Sequence, residues 1–295
     1  MPVALVTGAE GFLGRSLLPA LLRARWDIVG VGLRSQVPIE GIRWISTDLA
    51  AGTLDEQADA IIHLAAPPRD RLLHDTSAAQ VLAALDGHVI AAAARARFSV
   101  VISSAAVYGD RAPEGSRLDE QAALRPANAY GRAKAAQESR WRAALPGERL
   151  LVARLFNLIG PGEPPSQAAR ALADRLRAAA PGEAVGVRQS ASVRDFLDVR
   201  DAGAALAELV GAGVGGTVNV CSGVPVSVAT LAAGMVRVSG LGVRLDLDGQ
   251  GGESRSVGDP AELERRVSWR PRRGLDDSLR AVWVEATAGA SALNG

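Results

Sequence analysis

The chain has 295 residues, 48% of them hydrophobic, enough for a large buried core and one or two domains. Its 33 Lys and Arg against 32 Asp and Glu leave a net charge of +1, too little basic surplus for a nucleic-acid or membrane-surface protein. A single cysteine, three scattered histidines and no apolar run of ~18 residues exclude a disulfide framework, a cysteine-rich or zinc site and a membrane span.

The first half alternates short β-rich runs with Ala- and Leu-rich helical stretches. Strands are predicted over 3–6, 27–33, 43–46, 60–64, 98–103 and 150–155. Several are nearly continuous apolar runs, the mark of a parallel sheet covered on both faces. Helices are predicted over 12–25, 77–97 and 129–145, with Pro19 expected to kink the first or remove one of its hydrogen bonds. Such alternation gives an open, doubly wound α/β fold. Beyond Asn157 a loop is predicted over 160–165, a helix over 167–179 and a strand over 193–199. Asp201 is expected as N-cap of a helix over 202–210, followed by a turn at 211–216, a strand at 217–221 and a helix at 226–238. The Asp/Gly-rich stretch 245–258 reads as a loop, and 286–295 as a flexible tail.

Gly8, Gly11 and Gly14 follow the first strand and open the first helix, with Phe12 and Leu13 in its first turn. Glycines at this spacing let backbone approach a pyrophosphate held at the positive end of the helix. A bound dinucleotide is therefore expected. At the end of the second strand, where an acid usually binds the ribose of NAD, stands Gly32 with Arg34 just beyond. With no carboxylate to repel a 2′-phosphate, this favours NADP(H), unless Arg34 is simply a solvated charge. Asp48, next to Leu49, either meets the adenine amino group or closes an ordinary turn. After the fourth strand, the small run Leu64-Ala65-Ala66 leaves room for a dinucleotide, while His63 reads as a packed residue.

One lysine, Lys134, stands among 33 basic residues that are otherwise all arginine. A solitary ammonium in so Arg-rich a chain points to chemistry a guanidinium cannot perform. It lies four residues after Tyr130, on the same helical face, and Ser103-Ser104-Ala105-Ala106-Val107-Tyr108-Gly109 follows the fifth strand. Acid–base work by a phenol near neutrality requires its pKa to fall from about 10 to about 7, worth about 4 kcal/mol. One ammonium at ~4 Å supplies that much at an effective dielectric of ~20. Ser104, Tyr130 and Lys134 are thus candidate catalytic residues, with Tyr130 and Lys134 also reaching the cofactor.

The glycine motif, the Ser-Ser-x-x-Val-Tyr-Gly run and Tyr-x-x-x-Lys resemble the extended short-chain dehydrogenase/reductases, the NAD-dependent epimerase/dehydratase group. The resemblance continues through 154–162, 194–201, 218–223 and Trp269-Arg270-Pro271, nearly the whole chain. It implies a Rossmann-type domain over 1–155 with return segments near 192–220. A smaller substrate-binding region then takes 156–191 and 221–285. It also implies a nucleotide-sugar substrate met by Ser104, Ala105, Asn157, Arg194 and Arg255, and Cys221 buried at a strand end. The 4,6-dehydratase branch carries Asp-Glu where this chain has Ala105-Ala106, which disfavours dehydration. The strings Phe156–Gly162 and Asp195–Asp201 look most like GDP-4-keto-6-deoxy-mannose reductases. An NADP(H)-dependent ketoreductase, soluble and cytoplasmic, is therefore expected. An epimerase with bound cofactor and a non-catalytic NADP-binding sensor are the alternatives. The Ala-rich stretches 91–94 and 133–136 would suit helix pairing in a homodimer.

Overall fold

The parallel β/α alternation of the first half is realised in a computed structural model that describes residues 1–33, 39–52, 54–109, 112, 115–180, 182–248 and 254–291. In chain order the first half holds β1 (Val3–Thr7), α1 (Phe12–Arg23), β2 (Asp27–Gly32), β3 (Ile42–Ser46), β4 (Ala60–His63), α2 (Arg69–His74), α3 (Thr76–Ala93), β5 (Phe98–Ser104), α4 (Ala129–Ala144) and β6 (Leu150–Leu155). A short 3-10 turn, Ala105–Val107, follows β5. The second half holds β7 (Asn157–Ile159), α5 (Ala168–Ala178), β8 (Ala184–Val187), β9 (Val193–Asp198), α6 (Val199–Ala212), β10 (Gly216–Val220), β11 (Pro225–Ser227), α7 (Val228–Ser239), β12 (Arg244–Leu247), β13 (Arg255–Ser256), α8 (Ala261–Val267) and α9 (Leu275–Ser291).

Seven strands form one parallel sheet in the order β10-β6-β5-β4-β1-β2-β3. The chain reverses its direction of travel between β1 and β4, where Thr7 pairs with His63. Ligands of open α/β sheets bind in the crevice beyond the strand ends at such a reversal. One face of the sheet is covered by α1 and α6 through Leu17, Leu21, Leu206 and Val210. The other packs on α3 and α4 through Val89, Ala92 and the fully buried Trp141. α1 runs unbroken through Pro19. A third core, with Leu172, Leu176, Met235 and Leu279, joins α5, α7 and α9. It supports the smaller sheet, in which β9 pairs with β7, β11 and β13.

Three local expectations change. The N-cap of α6 is Asp198, whose side chain accepts from Arg200 N, because the helix starts at Val199 rather than after Asp201. Asp201 lies inside the first turn and accepts from the backbone N–H groups of Arg272 and Arg273 at 2.9 and 2.8 Å. The stretch 245–258 is not wholly loop, since Leu245–Leu247 pair with β8 and Arg255–Ser256 with β9. α9 continues through the buried Ala286, where the sequence suggested a tail, because that face packs into the third core. β9 belongs to the smaller sheet, and α6 and β10 return the chain to the large one.

Candidate active site

The glycine loop leaves β1 with Gly8 at φ +65°, a conformation that favours glycine. A Cβ there would stand 2.8 Å from the backbone N of Ala65, so only a glycine lets the loop close on the chain leaving β4. Leu64, Ala65 and Ala66 flank that contact, all partly buried. α1 begins at the N-cap Gly11, with no side chain capping it and no acid in its first turn. The N–H groups around Phe12, Leu13 and Gly14 therefore face a helix end left open to an anion, and this cradle fits the pyrophosphate of a dinucleotide.

The adenosine end departs from expectation. Arg34 lies outside the described residues. The side chain of Glu10, from the glycine loop, reaches the end of β2: a Cβ on Gly32 would lie 2.9 Å from its Cδ and Oε2. A carboxylate does stand where the sequence suggested none, because the loop folds back over β2 in space. Asp48 is exposed and its Oδ1 accepts from Ala50 N at 2.9 Å, the ordinary turn. Leu49 is buried, and its carbonyl accepts from His88 Nδ1 at 2.7 Å.

Ser104 ends β5, and its Oγ accepts from Ala106 N at 3.2 Å, capping the 3-10 turn. α4 starts beside that turn, capped by Asn128, whose Oδ1 accepts from Gly131 N at 2.9 Å. A Cβ on Gly131 would lie 2.4 Å from Ala106 O, so glycine allows the closest approach of helix to turn. That approach sets the Tyr130 hydroxyl beside Ser104. Burial nevertheless holds the phenol above its ordinary value, although Ser104 and the Arg69 guanidinium pull it down. Arg69 lies 5.6 Å from the centre of the Tyr130 ring. Lys134 is buried, and its Nζ donates to Ile102 O at 2.9 Å and Gln137 Oε1 at 2.8 Å. Two of the Lys134 N–H groups are thus taken by these acceptors, and Arg69 is a second cation near Tyr130 that the sequence did not suggest. Burial pulls Lys134 itself down to about 8.

Two polar clusters beneath these groups were not anticipated. Asp86, wholly buried in α3, accepts from Gln137 Nε2 at 2.7 Å, Trp141 Nε1 at 3.0 Å and the Arg140 guanidinium. His63 is fully buried, bonded through Nδ1 to Thr7 Oγ1 at 2.7 Å and stacked on Trp141. Its Nε2 is 3.3 Å from Asp86 Oδ1, within ion-pair range but without hydrogen-bond alignment. The second cluster pairs Glu138 with Arg154 through two bonds of 2.9 and 2.8 Å, and adds Ser103 on Glu138. Arg154 also donates to Tyr108 Oη at 2.8 Å, and Tyr108 donates to Asn219. Burial pushes the Tyr108 phenol up to about 12, so the second tyrosine is a structural hydroxyl.

On the opposite side, Ala105 is buried, and Asn157 Nδ2 donates to Asp195 O at 3.0 Å. The Arg194 guanidinium is engaged with Val193 O, Ser254 O and Ser254 Oγ. Arg255 has its Nε buried, with no hydrogen-bond partner among the described residues. Asp195, missed by sequence, takes four bonds from Ser222, Gly223 and Gly258 and ties β9 to the loops around it. Burial raises the Cys221 thiol well above its ordinary value, as suits a small core residue. Among the described residues no cluster of acids, His and Cys could hold a metal, and no helix is long and apolar enough to cross a membrane.

Residues 4–221 match the NAD dependent epimerase/dehydratase family. The chain is 32% identical to the GDP-6-deoxy-D-mannose reductase of Pseudomonas aeruginosa, over 94% of each chain. It is 28% identical to the dTDP-6-deoxy-L-talose 4-dehydrogenase (NAD(P)(+)) of Kitasatospora kifunensis, over 95% of this chain and 94% of the other. The structure of RMD from Pseudomonas aeruginosa, complexed with NADPH, superposes with a TM-score of 0.77 at 27% identity, over 98% of both chains. The sequence motifs, the seven-stranded parallel sheet and these relatives together make the chain a member of the NAD-dependent epimerase/dehydratase family, an NAD(P)-dependent enzyme of the extended short-chain dehydrogenase/reductase type.

Proposed function

We propose that this enzyme is an NADP(H)-dependent ketoreductase acting on a nucleotide-activated 4-keto-6-deoxy sugar. The observation that carries the reading is the 32% identity to a 6-deoxy-mannose reductase along 94% of both chains, with Ser104 and Tyr130 brought into contact beside the β1/β4 crevice. A nicotinamide cofactor, when bound, would supply the hydride. Gly8, Gly11 and the first turn of α1 would hold its pyrophosphate, with Leu64, Ala65 and Ala66 lining the crevice. Ser104 donates a hydrogen bond to the substrate carbonyl oxygen, and Tyr130 gives the proton to that oxygen as it becomes an alkoxide. Lys134 keeps a positive charge beneath Tyr130 and reaches the nicotinamide ribose. Arg255, whose buried Nε has no partner among the described residues, takes the substrate's phosphates. Asn157 and Arg194 line the same side, and the smaller region built on α5, α7 and α9 holds the nucleotide.

The preference for NADP(H) draws on the NADPH complex of the P. aeruginosa structure and on Arg34 in the sequence. Glu10 against Gly32 favours NAD(H) instead, since a carboxylate there repels a 2′-phosphate and accepts from a 2′-hydroxyl. The ratio of Kd values for NADPH and NADH, in wild type and in Arg34→Ala, decides between them. The function is tested by incubating the protein with NADPH and GDP- or dTDP-4-keto-6-deoxyhexoses. Stoichiometric loss of reduced nicotinamide is expected with one of them. An altered sugar without net oxidation makes the enzyme an epimerase, and binding without turnover refutes a sugar reductase. A homodimer pairing α3 and α4 belongs to the same proposal, and a monomeric mass by light scattering would end it.

A further inference from the structure

Asp86 is an unusual residue for its place. It lies wholly buried in α3 on a face shared with Leu82, Leu85 and Val89. A carboxylate there is tolerated only if its oxygens are occupied, and they are, by Gln137, Trp141 and Arg140. Because a carboxylate can only accept, the Gln137 amide must present its NH2 to Asp86. Its Oε1 is thereby turned toward Lys134 Nζ, 2.8 Å away. Ile102 O takes a second N–H of the ammonium, leaving a single direction for the third.

We propose that Asp86, acting through Gln137, is the positioning residue that keeps Lys134 protonated and aims its one remaining N–H. The inference rests on the placement of Lys134 in the active site argued above. The electrostatics agree in sign: burial lowers Lys134, Asp86 and Glu138 raise it, and Arg140 lowers it. The charged and titratable groups around it are His63 from β4, Asp86 from α3, and Tyr130, Glu138 and Arg140 from α4. Beyond them Arg154 from β6 neutralises Glu138, and Arg69 from α2 faces Tyr130. Asp86 is the one that both carries charge and dictates the geometry.

The sequence makes this directly measurable, because Lys134 is the only lysine of the chain. Lysine labelled with 13C at Cε gives one signal in the full-length protein, whose shift reports the ammonium titration. The wild-type midpoint is expected near 8. Asp86→Asn, which retains an acceptor for Gln137 or Trp141, should lower it by about one pH unit, a tenfold change in acidity. Gln137→Leu leaves the Asp86 charge but cuts the route, and should lower the midpoint as well. The alkaline limb of kcat/KM should move down with the NMR midpoint in each variant. A midpoint unchanged in folded Asp86→Asn and Gln137→Leu overturns the proposal and leaves Asp86 a purely structural residue. A midpoint that falls while the kcat/KM profile stays fixed upholds the link from Asp86 to Lys134 and instead removes Lys134 from the catalytic reading.

Discussion

Glu163 sits in the loop between β7 and α5, 4% exposed, and ties that loop to the helix start. Its Oε1 accepts from the N–H groups of Ala169 and Arg170 at 3.0 and 3.3 Å, and its Oε2 from Gly160 N at 3.4 Å. Burial pushes this carboxyl from 4.5 up to about 7, against the pull of those three N–H groups. A carboxyl raised in the folded state binds its proton more tightly there than in the unfolded chain. Stability is therefore full below about pH 4.5 and is lost as pH climbs through about 7. The gap corresponds to about 3 kcal/mol once both states are ionised, of which about 2 kcal/mol is lost between pH 5 and pH 8. Glu163→Gln retains an oxygen for Ala169 and Arg170 and cannot ionise. Urea unfolding of both proteins at pH 5 and 8 isolates the effect, since every other titrating group cancels in the difference. The variant should gain on wild type by about 2 kcal/mol across that interval. Equal losses in both proteins would refute the reasoning and show that Glu163 ionises in place without penalty.

Tyr130→Phe should lower kcat by about 10²–10⁴ with NADPH affinity retained, and near-normal turnover would remove Tyr130 from its role. Arg69→Ala removes the cation that lowers the Tyr130 phenol, so the rise of alcohol oxidation with pH should move to higher pH. An unmoved profile would show that Arg69 does not act on that proton. Arg154→Met leaves Glu138 charged and buried, and should destabilise the fold by about 3–5 kcal/mol, with Glu138→Leu added to it restoring much of the loss in urea melts. Gly8→Ala forces a left-handed alanine, about 1–2 kcal/mol of strain, against the Ala65 backbone. Its NADPH Kd by calorimetry should rise at least several-fold.

What could be read from sequence was what repeats locally. Apolar runs marked the strands of the large sheet, the Gly8–Gly14 spacing marked the phosphate turn, and the Tyr130/Lys134 interval put both on one helical face. The errors arose where a residue's partner is distant. Asp198 and Asp201 are equally good caps by type. What separates them is that the Arg272 and Arg273 amides, some seventy residues on, claim Asp201. Glu10 received no role from the sequence, and only the fold lays it on Gly32. Asp86 drew no reading from the sequence, although its spacing from Leu82 and Val89 places it on the buried face and could have raised the question. The acceptors of Lys134, on β5 and one turn further along α4, were hidden for the same reason. Helical spacing says which side chains are neighbours, but not which acceptors an ammonium will choose.

Those acceptors explain how α4 can carry chemistry. Tyr130, Lys134, Gln137, Glu138 and Trp141 fall on one stripe of the helix, and below Lys134 that stripe is fastened by directional bonds rather than by grease alone. Gln137 and Trp141 reach Asp86 in α3, and Glu138 reaches Ser103 in β5 and Arg154 in β6. Apolar side chains would tolerate a small slide or rotation, since dispersion contacts are soft and numerous. Here a step of one residue turns the helix by about 100° and breaks all of these bonds together, exposing buried charges to an apolar wall. The register of α4, and with it the meeting of Tyr130 and Ser104, is thus set by the polar stripe, and the stability of Asp86 and Glu138 in the core is inseparable from the geometry of the site above them.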